Sequence, residues 1–209
     1  MKNVPFFANT KDDLHCYQAS LRMMLKYFMP QKNFTFRKLD ELTGQKKRKW
    51  TWPMQGILSL QRMGFQIVNI EEFDYQRVAK DAEEYLVEVY GEKVAKEQVL
   101  HSDIPSVQET AREFVQKIRV DYRLPAFEDI QKLLDEGYLI GCLVNSKALN
   151  RKKGYIGHFV VVYKCTSETI FFHDPGLPPR KNRRASRRLF EQAWAYPDKR
   201  AKSLHAFKL

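Results

Sequence analysis

Apolar side chains recur every three to four residues through Cys16-Tyr17-Gln18-Ala19-Ser20-Leu21-Arg22-Met23-Met24-Leu25-Lys26-Tyr27-Phe28, and that spacing predicts a helix over 13–28. Asp12 and Asp13 are placed to cap it, and Pro30 stops it. A short helix after Thr35 ends near Gly44, and Thr51-Trp52-Pro53 opens another, with Thr51 as cap and proline in the first turn, closing at Gly64. Residues 65–70 read as a strand. Residues 75–119 read as helix in two or three pieces, broken around Gly91 and Pro105, and 126–136 as a further helix ended by Gly137.

The period then changes. Residues 138–145, 157–163 and 169–174 are apolar runs of strand length, the last two joined by a hairpin-sized loop over 164–168. A helix over 186–195 and a strand over 203–208 follow. Helix dominates 1–136 and strand dominates 137–209, so the pattern predicts an α+β chain without regular βαβ alternation. A length of 209 residues suits one domain with those two lobes.

Composition narrows the class. Hydrophobic residues make up 44% and aromatics 13%, which excludes a disordered chain. No window approaches 18 uninterrupted apolar residues, so no membrane span is expected. Lys11, Asp12 and Asp13 interrupt the N-terminal segment too early for a signal-peptide core, and the expected location is the cytoplasm. Three cysteines, Cys16, Cys142 and Cys165, are neither a disulfide framework nor a CxxC zinc site.

The net charge of +11 is uneven: +8 over 1–70, −8 over 71–140, +3 over 141–179 and +8 over 180–209. Basic runs at 46–49 and 180–188 could meet an acidic partner, although a solvated loop and helix face is the simpler reading. No nucleic-acid motif accompanies them, which disfavours a nucleic-acid binder.

Candidate chemistry lies at three separated positions. If Tyr163 pairs with Thr169, an antiparallel register sets His158 directly opposite Asp174 on one face of the hairpin, at hydrogen-bonding separation. The carboxylate would then fix the ring tautomer and stabilise an imidazolium. A slip of one residue would destroy this. Cys16 sits near the amino end of the first helix, where free N–H groups and the helix dipole stabilise a thiolate and can hold an oxyanion. Together they form a nucleophile, base and orienting acid. A metal site from the same three residues is the lesser alternative, and neither metal nor cofactor is expected. Each residue alone reads more simply as structural: Cys16 as core, His158 as a satisfied core histidine, Asp174 as a turn residue. His15 and His173 are set apart, one facing away around the helix, the other on the opposite sheet face. Cys142 and Cys165 read as structural, one in a strand and one in the hairpin loop.

The segment from Asn9 to Phe28, with Asp13-Leu14-His15-Cys16-Tyr17-Gln18-Ala19-Ser20-Leu21-Arg22-Met23, resembles the nucleophile helix of C39-like peptidases, a papain-like family. Gly157-His158-Phe159-Val160-Val161-Val162, followed by Ile170-Phe171-Phe172-His173-Asp174-Pro175, is similar to that family's second block. The resemblance implies a papain-like fold and a cysteine peptidase or amidase acting on a peptide or protein substrate, with Cys16 as nucleophile, His158 as general base and acid, and Asp174 as orienter. The family's oxyanion glutamine is not found. Asn9 is the candidate in its place, and Tyr17 stands where a glycine usually follows the cysteine. A catalytically inactive binding module of the same fold is the alternative these departures raise.

Overall fold

The computed structural model describes residues 3–209. Nine α-helices and seven strands occur among them, in the order α1 (Cys16–Phe28), α2 (Phe36–Thr43), α3 (Pro53–Arg62), β1 (Gln66–Glu71), α4 (Tyr75–Tyr90), α5 (Glu92–His101), α6 (Ile104–Lys117), β2 (Val120–Asp121), α7 (Phe127–Asp135), β3 (Leu139–Asn145), α8 (Ser146–Leu149), β4 (Gly157–Cys165), β5 (Thr169–Asp174), β6 (Arg180–Ser186), α9 (Arg187–Trp194) and β7 (Ser203–Lys208). The α+β class expected from the sequence holds.

The strands form one sheet in the order β2-β1-β7-β3-β4-β5-β6, antiparallel except for the short β1–β2 pair. β7, the last strand of the chain, inserts between β1 and β3 and so joins the helical half to the sheet half. Each face of the sheet carries its own core. One packs α1, α3, α4 and α6 around Leu25, Ile57, Phe114, Phe159 and Phe207. The other packs α7 and α9 around Ile130, Cys142, Val160, Phe172 and Phe190. No described helix is long and apolar enough to cross a membrane.

Several boundaries depart from expectation. The first helix begins at Cys16, not residue 13, and its N-cap is His15, whose side chain makes no capping bond. The residues expected to cap it do other work: Asp12 accepts from Thr10 and from the Leu14 N–H, and Asp13 turns through a left-handed φ of 60°. Trp52, not Thr51, is the N-cap of α3, and Pro53 occupies its first turn as expected. Residues 180–186 form an edge strand, where the basic run was expected as a solvated helix face. A lysine- and arginine-rich edge discourages strand addition by another chain.

The β4–β5 register corrects the sequence reading. At the turn, Cys165 pairs with Ile170 and Lys164 with Phe171; farther along, Val162 pairs with Phe172 and Val161 with His173, with a bulge at Tyr163 between the two sets. His158 is therefore diagonal to Asp174, two residues from the expected direct pairing. The bulge restores the parity of the pleat. Without its extra residue, Asp174 would face Val161 and His158 would point to the opposite side. Cys165 ends the strand and does not lie in the loop.

Candidate active site

Cys16 is the first residue of α1, half-buried, with its backbone N–H at the open end of the helix. The loop leading to it is fastened by Asn9, whose carboxamide oxygen accepts from the His15 N–H at 2.8 Å and from the Thr10 N–H at 2.9 Å. The Asn9 Nδ2 donates to Asp13 Oδ1 at 2.7 Å, and the Asn9 backbone N–H donates to the carbonyl of Pro175 at 2.8 Å. That last bond ties the cysteine loop to the residue after Asp174. One of the two N–H bonds of the Asn9 amide is thus committed to Asp13.

The structure brings Cys16, His158 and Asp174 together. The His158 Nε2 and Asp174 Oδ1 lie 2.7 Å apart, both side chains almost fully buried. The Cys16 sulfur is the other group close enough to act on the ring. Burial alone would push the imidazole down, but the Asp174 carboxylate and the Cys16 sulfur outweigh it and raise the ring from 6.5 to about 10. Burial would likewise raise Asp174, yet the bond from His158, the Arg183 guanidinium and the Gly176 N–H bring it down to about 2. These contacts favour the carboxylate form of Asp174 and make the ring a ready acceptor of a proton.

Arg183 was missed in the sequence. It lies in the basic run at 180–188, and its Nη1 donates to Asp174 Oδ2 at 2.6 Å, while Nη2 donates to the Leu149 carbonyl at 2.7 Å and to Asn150 Oδ1 at 3.0 Å. With His158 it offsets the cost of a buried carboxylate. Alternation along an edge strand was the available signal, because Arg183 and Ala185 turn inward between exposed neighbours. Arg180, Lys181, Arg184 and Arg188 stay exposed, as do Lys46, Lys47 and Arg48 in a turn of the other run.

Two glycines leave room for the site. A Cβ on Gly176 would meet Asp174 Oδ1 at 3.0 Å and His158 Cε1 at 3.1 Å. A Cβ on Gly56 would lie 2.3 Å from the Tyr17 hydroxyl, so α3 carries glycine where α1 carries tyrosine. Tyr17 is buried, donates to the Pro53 carbonyl at 3.0 Å and sets its ring edge-on to Phe159 at 4.9 Å.

The remaining histidines and cysteines are occupied elsewhere. His173 accepts from the Asn182 N–H through Nδ1 and donates to the Val4 carbonyl through Nε2, fastening the N-terminal segment to the sheet. His15 lies near Thr10, Asp12 and Asp40. Cys142 is fully buried and its thiol is pushed far up by burial, while Cys165 is raised to about 11.

Cys16 also lines a cleft of about 380 Å³. It runs between the Cys16 loop, α4, the 155–157 segment and β7, with Trp52, Phe73, Tyr75, Tyr90, Tyr155 and Tyr196 among its walls and Glu71 and His205 among its lining groups. Glu71 stands just past the strand expected over 65–70 and was not among the candidate residues.

The comparisons with known proteins agree with this architecture. The peptidase domain of Streptococcus ComA, described as a bi-functional ABC transporter involved in a quorum-sensing pathway, is similar in fold with a TM-score of 0.51 at 13% identity, over 98% of each chain. A protein from Bacillus anthracis described as a C39-like peptidase is similar with a TM-score of 0.52 at 16% identity, over 100% of this chain and 96% of that one. No curated protein sequence matches. The model described as the Peptidase_C39 like family matches residues 4–192, and the chain belongs to that family.

Proposed function

We propose that the protein is a thiol-dependent hydrolase or acyl transferase acting on a peptide or amide bond. The observation that carries this reading is the buried imidazole of His158, set between the Asp174 carboxylate and Cys16, the residue that opens onto the cleft.

The bond between Nε2 and Asp174 fixes the ring and leaves Nδ1 for the thiol. His158 accepts the Sγ proton, and the sulfur attacks the carbonyl carbon. The oxyanion that develops is met by the Cys16 backbone N–H at the start of α1, with the second N–H of the Asn9 amide as the further donor. His158 then protonates the leaving amine, the C–N bond breaks and a thioester remains. Water gives a proton back to His158 as it attacks the thioester, releasing the acid and restoring the thiol; an amine in place of water gives transfer. Asp174 stays ionised throughout, with Arg183 behind it. This chemistry calls for no cofactor.

The engaged Asn9 amide favours one second reading, a binding module that keeps the fold without turnover. Both readings meet in one experiment. A diverse peptide mixture is incubated with the wild type and with Cys16→Ala, and new termini are identified by mass spectrometry. Cleavage by the wild type alone is the expected result. Cleavage that survives in Cys16→Ala contradicts the assignment of the nucleophile, and peptides bound but left intact by both favour the module.

A further inference from the structure

Glu71 is 5% exposed, at the end of β1, and lines the cleft that Cys16 opens into. Its Oε1 accepts from Tyr75 and from Asn69, both at 2.7 Å. Neither partner is a cation. Cross-strand pairing sets Glu71 opposite Ser203 and Asn69 opposite His205, so the four side chains share one face of the β1–β7 ladder. Ser203 also lines the cleft, and its buried Oγ has no hydrogen-bond partner.

The walls add a second kind of attraction. Phe73 stacks with Tyr90 at 6.4 Å, Tyr155 stacks with Tyr196 at 5.7 Å, and Trp52 lies 5.9 Å from Phe73. Aromatic faces around a carboxyl group attract an ammonium or guanidinium through the ring quadrupoles and the carboxylate together. The cations nearby already have partners. Arg200 is bound to Asp198 at 2.8 Å and to the Val89 carbonyl at 3.0 Å, and Lys202 is bound to Glu191 at 2.5 Å and lies over Trp194. Near Cys16 the lining is acidic, with Asp12 and Asp13.

We propose that this cleft takes a basic side chain of the substrate, lysine or arginine, with Glu71 pairing its cation and the aromatic walls enclosing its stem. As a substrate subsite it rests on the reading of Cys16 as the reacting centre. As a binding pocket it stands on the geometry of the cleft. Burial raises Glu71 from 4.5 to about 7, so the empty pocket holds a carboxyl poised to lose its proton when a cation enters. The tyrosines and the histidine facing it stay neutral across that range, beside the paired Arg200 and Lys202 and the acidic Asp12 and Asp13 of the lining. Tyr75 and Tyr90 of α4 are raised well above 10 by burial, Tyr85 is raised to about 12, and His205 of β7 is lowered to about 3.

The test measures binding in the Cys16→Ala protein, where no turnover can occur. N-acetyl-arginine methylamide, N-acetyl-lysine methylamide and the neutral isostere N-acetyl-citrulline methylamide are titrated by NMR at pH 8. The two cationic probes are expected to bind at least about tenfold more tightly than citrulline, with shifts at Tyr155 and Tyr196. Glu71→Gln is expected to bring that preference to about one. Should Glu71→Gln fail to fold, the pH dependence in the unsubstituted pocket decides: the preference is expected to collapse between pH 8.5 and 5.5 as Glu71 takes up its proton. Equal binding of cationic and neutral probes, or a preference that survives both Glu71→Gln and pH 5.5, overturns the proposal. Because binding is read without chemistry, a lost preference leaves the catalytic reading standing. An intact preference beside absent cleavage overturns the catalytic reading alone.

Discussion

Two buried histidine–acid pairs occupy this sheet, and their proton affinities are shifted in opposite directions. His158 and Asp174 stand 2.7 Å apart, with the imidazole raised to about 10 and the carboxyl lowered to about 2. His205 and Glu71 stand 3.9 Å apart, with the imidazole lowered to about 3 and the carboxyl raised to about 7. Both pairs are desolvated, and burial alone disfavours the charged form of each member. What differs is the company. Asp174 has the Arg183 guanidinium, the Gly176 N–H and a direct bond to the ring, and His158 has a thiol on its other side. Glu71 has a phenol and an amide, and Asn69 stands against the His205 ring. A histidine and an acid in the core do not by themselves make an ion pair. A third charged or strongly donating group decides, and only the first pair has one.

The largest expected difference between the pairs is catalytic. His158→Gln should lower amide cleavage by about 10²–10⁴-fold, the range for losing a positioned base. His205→Gln should change it several-fold at most. Product formation under substrate-limited conditions checks both, and equal losses would erase the distinction. Next comes the supporting cation. Arg183→Met leaves the Asp174 carboxylate without its guanidinium and is expected to cost about 3 kcal/mol in urea unfolding at neutral pH.

The pairs should also separate along the pH axis. His158 has a folded value above its ordinary one, so its contribution to stability is full below about 6.5 and is lost as pH rises through about 10. Glu71 is a carboxyl raised from 4.5 to about 7, so its contribution is full below 4.5 and is lost as pH rises through 7. Unfolding free energies of the wild type minus Glu71→Gln should therefore fall by about 3 kcal/mol between pH 4.5 and pH 8, and those of the wild type minus His158→Gln should fall mainly above pH 6.5. Overlapping profiles would contradict the contrast. The smallest effect is expected from Gly176→Ala, whose methyl presses on the His158–Asp174 bond. Cleavage should drop about tenfold, with little change in melting temperature.

Much of the first pair was legible in the chain and almost none of the second. The apolar spacing of 16–28 and the two runs at 157–163 and 169–174 are local signals, and they placed Cys16 at a helix start and His158 and Asp174 on neighbouring strands. The register was not local. It depends on a bulge at Tyr163 that no glycine marks. Arg183 was hidden because a run of basic residues looks the same whether it is a solvated surface or an edge strand with one residue turned inward. Glu71 is buried only because β7 returns from the far end of the sequence to lie beside β1, and nothing within a few residues of Glu71 carries that information.

The most direct test of the central claim is the alkylation rate of each cysteine by iodoacetamide, followed by mass spectrometry in the wild type and in His158→Gln from pH 5 to 9. If Cys16 and His158 act as one proton-transfer unit, Cys16 labels well ahead of the buried Cys142 and Cys165 near neutral pH, and His158→Gln slows it by at least about tenfold and shifts its profile upward. Labelling of Cys16 that is unchanged in His158→Gln, or no faster than that of the two buried thiols, would contradict it.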